Sequence, residues 1–147
     1  MSKQRVIKDE MWDDEWFYDL DPSEKLLWVF LLTNPRSNIA GIYKINMRWV
    51  SQTTGFDKDV VKNIMNQFKK DKKVLYENDW VAIINFHKHL PYRNENIAKG
   101  IKRLYEENKD YTKALKGFES VWVTLLNSTL LYLSDSESND SQSKKKL

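Results

Sequence analysis

Residues 58–70, KDVVKNIMNQFKK, combine primary amides and lysines with an apolar repeat. Val61, Ile64, Met65 and Phe68 recur at i, i+3, i+4 and i+7, the spacing of a helix with one buried stripe. The other side carries Lys58, Lys62, Asn63, Asn66, Gln67, Lys69 and Lys70. Primary amides pair with the N6/N7 edge of adenine, and ammonium groups hold phosphate oxygens. Those residue types on one helix face suit a duplex-reading helix. A lysine-rich face is also what any solvated helix presents, so the flanking elements must decide.

Other chemistry finds little material. The four glycines are scattered and form no phosphate-gripping loop, and the absence of Cys removes thiolate nucleophiles and Cys-ligated zinc. His87-Lys88-His89 holds the only two histidines, placed by an extended chain on one side. A metal there would need further ligands that nothing marks. Glu10, Asp13, Asp14 and Glu15 read more simply as a negative segment than as a catalytic cluster. No metal, no cofactor and no enzymatic activity are expected.

The element before the amide-rich helix is short. Met47, Val50 and Trp49 give it an apolar side, while Arg48, Gln52 and Thr53 are free to brace a phosphate backbone. Gly55 supplies the turn, where a left-handed residue is cheapest. Asp57 can cap the second helix, and Phe56 can staple onto Val61. Helix, glycine turn and polar-faced helix are the sequence form of a helix-turn-helix. Upstream, Asp21-Pro22-Ser23-Glu24 is a capped helix start. The following LLWVFLL is apolar all round, which predicts the most buried helix, ended by Asn34-Pro35. Ile39–Ile45 predicts a strand, and residues 73–77 and 80–86 predict a hairpin around Asn78-Asp79. The order helix, strand, helix, turn, helix, strand, turn, strand is that of a winged helix-turn-helix. The tip Glu77-Asn78-Asp79 is acidic, where a wing on a phosphate backbone wants Lys or Arg. That tip is expected to stay off DNA or to meet a protein.

Further helices are predicted over 94–108 and 111–133, with Gly117 weakening the second. The fold class expected is therefore α+β and mainly helical, a winged helix-turn-helix with extra C-terminal helices. Residues 1–90 form the winged-helix domain with its aromatic and acidic extension. Residues 91–133 form a helical extension packing on it or on a second chain. Residues 134–147, rich in Ser, Asp and Lys, read as a disordered tail.

A hydrophobic content of 41% with 13% aromatics is ample for a core in 147 residues. The net charge of +3 is small, but its distribution is uneven. Residues 1–21 hold three basic and seven acidic side chains, net −4; residues 44–73 hold eight and three, net +5. Phosphate would be drawn to the second segment and repelled by the first. No signal-like or membrane-length apolar run occurs, so a cytoplasmic protein without a membrane partner is expected. Trp12, Trp16 and Phe17, with Trp122 of the C-terminal stretch, are the candidate contact surface of a homo-oligomer.

The stretches WDDEWFYDLDPSEKLLWVFLLTNP, NIAGIYKI and TGFDKDVVKNIMNQFKKDKKVLYENDWVAIINFHKH resemble a known family. It is the N-terminal winged-helix domain of phage replisome organisers, related to the N-terminal domain of DnaD-type primosome proteins. PYRNENIAKGIKRLYEEN extends the likeness. The resemblance implies a phage or prophage protein of low-GC Gram-positive bacteria. It would act at replication initiation by binding double-stranded origin DNA or by recruiting helicase-loading proteins. In DnaD relatives this domain is chiefly an oligomerisation module. Longer relatives add a C-terminal helical domain that binds and remodels DNA, and no counterpart is expected here. A protein-interaction module and a transcription regulator are the alternative readings.

Overall fold

A computed structural model describes residues 4–90 and 93–130. The protein is mixed α+β, mainly helical, with one three-stranded antiparallel sheet. The chain divides after residue 91 into two compact units. The tail expected at 134–147 lies outside the described residues, as does the end of the helix expected to reach 133. Among the described residues no helix is long and apolar enough to cross a membrane.

The first unit opens with a 3-10 turn at Asp9–Asp13 and a single helical turn, α1, at Glu15–Tyr18. Asp14 caps α1 by accepting from the Phe17 amide at 3.0 Å. Helix α2, Pro22–Thr33, begins where the sequence placed it, with the Glu24 carboxylate accepting from the Asp21 amide at 3.0 Å. It is the most covered helix of the unit, as its composition required: Leu27, Trp28, Leu31 and Leu32 are buried, and of its 12 residues only Pro22 and Leu26, the latter 51% exposed, lie open. It packs against α4 (Lys58–Lys70), and Val29, Phe30 and Thr33 on its far side are half-buried.

The strand expected over 39–45 shrinks to β1, Ile42–Lys44. The Asn38 side chain accounts for the lost residues: its Oδ1 accepts from the Ala40 and Gly41 amides, both at 2.9 Å, and curls the chain into a turn. Gly41 leaves that turn at φ +69°, with the Phe86 ring where a β-carbon would stand. Helix α3, Met47–Thr54, is capped by Asn46, whose Oδ1 accepts from the Trp49 amide at 2.8 Å. It ends at Gly55 with φ +83°, the left-handed cap the sequence called for. Asp57 occupies the N-cap of α4, but its side chain makes no capping hydrogen bond. Strands β2, Val74–Glu77, and β3, Trp80–Ile83, join through Asn78 and Asp79, both left-handed. A mirror-image turn of this kind matches the twist of a hairpin. Strand β3 lies between β1 and β2, with Val81 opposite Tyr43 on one side and Tyr76 on the other. After Ile83 the chain leaves the sheet; Asn85 turns left-handed and residues Phe86–His89 coil into a 3-10 turn.

The core of this unit is aromatic where α2 and α4 meet. Trp28 and Phe68 lie edge to face at 5.6 Å, and Trp16 closes the triangle at 4.9 Å from Trp28 and 5.5 Å from Phe68. Edge-on rings of this kind add about 0.5–1.5 kcal/mol per pair beyond area burial.

In the second unit α5 runs from Glu95 to Thr112, capped by Asn94, and α6 occupies 118–130. The single helix expected from 111 is broken at 113–117, because Gly117 takes φ +85° and turns the chain back. Phe118 and Trp122 are buried, and the Trp122 indole donates to Thr112 Oγ1 at 3.1 Å.

Two glycines separate conformational from steric demand. At Gly55 an added β-carbon meets nothing within 4 Å, whereas at Gly41 it meets Phe86 Cγ at 2.4 Å. Gly55→Ala is expected to cost about 1 kcal/mol, the left-handed penalty alone. Gly41→Ala is expected to cost about 2–4 kcal/mol, since overpacking adds to that penalty. Urea unfolding of the two variants checks the difference.

Candidate nucleic-acid interface

The stripe that anchors α4 fixes what its other side presents. Val61, Ile64, Met65 and Phe68 are buried as the spacing required. At 100° per residue, Asp59, Asn63, Asn66 and Lys70 then form the ridge opposite. Lys58, Lys62 and Lys69 lie along one flank, and Val60 and Gln67 along the other. All of these side chains are exposed. Among the described residues no carboxylate forms an ion pair with Lys58, Lys62, Lys69 or Lys70. The side chains of Asn63 and Asn66 likewise face solvent.

Gln67 is different. Its amide nitrogen donates to Asp71 Oδ1 at 2.9 Å, while Asp71 Oδ2 accepts from the Trp16 indole at 2.9 Å. Asp71 thus ties the end of α4 to α1, and Gln67 belongs to that tie. The bond to Asp71 uses one of the two N–H donors of the Gln67 amide. The flank beyond it is acidic: Glu15, Asp19, Asp21, Glu24 and Asp71 line an open cleft with Trp16, Leu20 and Gln67. Helix α4 is therefore polarised across its width, with lysines on one edge and carboxylates on the other.

Arg48, Gln52 and Thr53 of α3 are exposed, and Arg48 and Gln52 share one face at i, i+4. Lys44, which the sequence did not single out, is exposed at the end of β1. Lys73 is drawn the other way, its ammonium 4.8 Å from the Trp16 ring centre.

The acidic hairpin tip has an internal role. The Asp79 carbonyl accepts from the Ile45 amide at 2.8 Å, and the Tyr76 hydroxyl donates to Asp79 Oδ1 at 3.0 Å. Burial, and then the hydrogen bond and charge of Asp79, raise the Tyr76 pKa well above the usual phenol value, which keeps the donor in place. The Asp79 carbonyl therefore ties the tip to the residue after β1, and its carboxylate holds Tyr76 of β2.

Of the four aromatics read as an oligomer surface, Phe17 and Trp122 are buried within one chain, and Trp16 is half-buried in its own core. Buried rings cannot line a contact between chains. Trp12, 61% exposed and edge-on to Phe17 at 5.4 Å, is the one ring of the four that lies open.

The histidine pair does not sit on an extended strand. Both residues fall in the 3-10 turn, and His89 lies 5.7 Å from the Trp28 ring and 6.1 Å from Phe86. No group of three or more His, Asp or Glu among the described residues is placed to hold a metal ion.

No protein-family model matches the chain, and no curated protein or solved structure is significantly similar to it.

His89 makes stability depend on pH. Removal from water lowers its pKa; Asp14 opposes this, while Lys73, Lys8 and His87 reinforce it. The unfolded chain then binds the proton more readily than the folded one, so stability rises with pH across this titration. The contribution is full above the unfolded value of about 6.5 and is lost as pH falls from there towards the lowered folded value. His89→Phe, a ring without a titrating nitrogen, is expected to flatten thermal stability between about pH 7 and 5 relative to the parent protein. Melting curves across that range check it.

Proposed function

We propose that residues 22–83 form a winged helix-turn-helix that binds double-stranded DNA, with α4 in the major groove. The observation that carries this is the outer ridge of α4, where the Asn63 and Asn66 amides are exposed beside lysines that have no carboxylate partner among the described residues. The order α2, β1, α3, α4, β2, β3 and the sheet order β1-β3-β2 support the reading. Asn63 and Asn66 read adenine edges, and Asp59 accepts from a cytosine amino group. Lys58, Lys62, Lys69 and Lys70 hold phosphates on the lysine side, and Arg48, Gln52 and Thr53 brace the backbone from α3. The acidic cleft faces away from the phosphates, because the two repel. Gln67 holds Asp71 at the acidic border of that ridge.

The proposed setting is replication initiation in the cytoplasm, with helicase-loading proteins as partners; the resemblance of the sequence to phage replisome organisers supports it. A transcription regulator would use the same face. A second reading, an interaction or oligomerisation module, has its own support. Trp12, Tyr18 and Leu26 of α1, α2 and the preceding turn are 61%, 69% and 51% exposed, apolar side chains that suit a protein partner or a second copy.

Fluorescence anisotropy with duplex and single-stranded DNA across a salt series tests the proposal. The five cations of the two helices, Arg48, Lys58, Lys62, Lys69 and Lys70, are expected to contribute about −4 to −5 to the slope of log K against log salt. Lys62→Glu and Lys70→Glu are each expected to weaken duplex binding by about tenfold. Duplex binding that ignores salt, or that survives both charge reversals, overturns it.

A further inference from the structure

Asn34-Pro35-Arg36-Ser37 links α2 to the turn before β1, and its construction is unusually firm for a surface connection. Asn34 is buried at 4% exposure. Its Nδ2 donates to the Phe30 carbonyl and to the Tyr43 hydroxyl, both at 2.9 Å, and its Oδ1 accepts from the Arg36 amide at 2.9 Å. Ser37, at 5% exposure, accepts at its Oγ from Arg5 Nε at 3.2 Å, and its carbonyl accepts from Arg5 Nη2 at 2.8 Å. The backbone around Arg36 is thus fixed from both sides by buried polar groups.

The Arg36 side chain is exposed, yet it is also positioned. Its guanidinium carbon lies 3.9 Å from the centre of the Trp49 ring, and Trp49 rests on Phe30 at 5.5 Å. Trp49 belongs to the first turn of α3, next to exposed Arg48. No carboxylate forms an ion pair with Arg36 among the described residues. A guanidinium seated on a ring face engages that ring through its π system and leaves the N–H donors of its planar fork free for an anion. That fork matches two oxygens of a phosphate, and ordering it in advance reduces the entropy lost on binding.

We infer that Arg36, held on Trp49, is a phosphate-binding residue that extends the duplex contact beyond the two helices of the helix-turn-helix. The inference rests on the duplex-binding reading and deepens it. The contact is to the backbone, so it adds affinity without selecting sequence. Trp49 is the positioning residue and Arg36 the ligand.

The competing role for Arg36 is to shield an indole from water. Arg36→Met separates the two, since a methionine stem still covers the ring but carries no charge. The full chain is titrated with a duplex of arbitrary sequence across a salt series, and each variant is also melted. Arg36→Met is expected to retain the parent melting temperature, weaken binding about three- to tenfold on every sequence, and make the salt slope shallower by about 0.9, one phosphate. Arg36→Lys is expected to keep the slope and recover only part of the affinity, because the charge remains and the fork is gone. Trp49→Leu is expected to weaken binding with the slope unchanged. If Arg36→Met leaves affinity and slope at parent values while Lys62→Glu weakens binding, the inference fails and the duplex reading stands. If Arg36→Met only lowers the melting temperature, Arg36 is a cover for Trp49 and the inference likewise fails. If the parent protein binds no duplex at any salt, the underlying reading fails and the inference falls with it.

Discussion

The burial of the Val61, Ile64, Met65 and Phe68 stripe governs the first unit. Phe68 meets Trp28 and Trp16 edge-on, and that three-ring contact sets the rotation of α4 about its own axis. Once the rotation is set, the chemistry of the outer side follows without further choice. Asn63, Asn66 and Lys70 point away from the core, lysines line one edge, and Gln67 faces the acidic edge. The Asp71 carboxylate reinforces the arrangement by bonding Trp16 and Gln67 together. A hydrogen bond to a charged group adds about 1.5–3 kcal/mol in favourable cases, less where solvent reaches it as here.

The same contact explains the uneven charge. Net charges of −4 at the N-terminus and +5 around α4 would be hard to read if the two segments lay apart. They are neighbours: Trp16 brings Glu15 and Asp19 against the Asp71 end of α4, so a negative cleft borders a positive edge. In the proposed role, an elongated polyanion sees a field that falls across the helix width. Such a field orients the duplex relative to α4 as well as attracting it.

Much of this was legible because it is local. The 3.6-residue stripe, the Asn46 and Gly55 ends of α3, and the Asn78-Asp79 turn each depend on a few adjacent residues whose preferences agree. What the sequence concealed depends on partners far along the chain. Gln67 resembles its asparagine neighbours until Asp71 is known to be shared between it and Trp16, 55 residues from Asp71. The strand at 39–45 is shortened by the Asn38 side chain, a rival to the sheet that β propensity does not weigh. Trp122 looked like an oligomer residue because an apolar helix must be buried and its sequence does not say against what. Arg36 belongs to no periodic pattern, and only the folded chain places Trp49 beneath it.

The central claim is that the outer ridge of α4 meets DNA while the acidic side of the same helix does not. Nitrogen-15 NMR of the full chain, with duplex added stepwise, addresses it residue by residue. The largest shifts are expected at the side-chain amides of Asn63 and Asn66 and the backbone amides of Lys58–Lys70, with the Trp16 indole and the Gln67 side chain little moved. Shifts centred on Trp12, Tyr18 and Leu26, or on the acidic cleft, with the Asn63 and Asn66 signals unmoved, would contradict it.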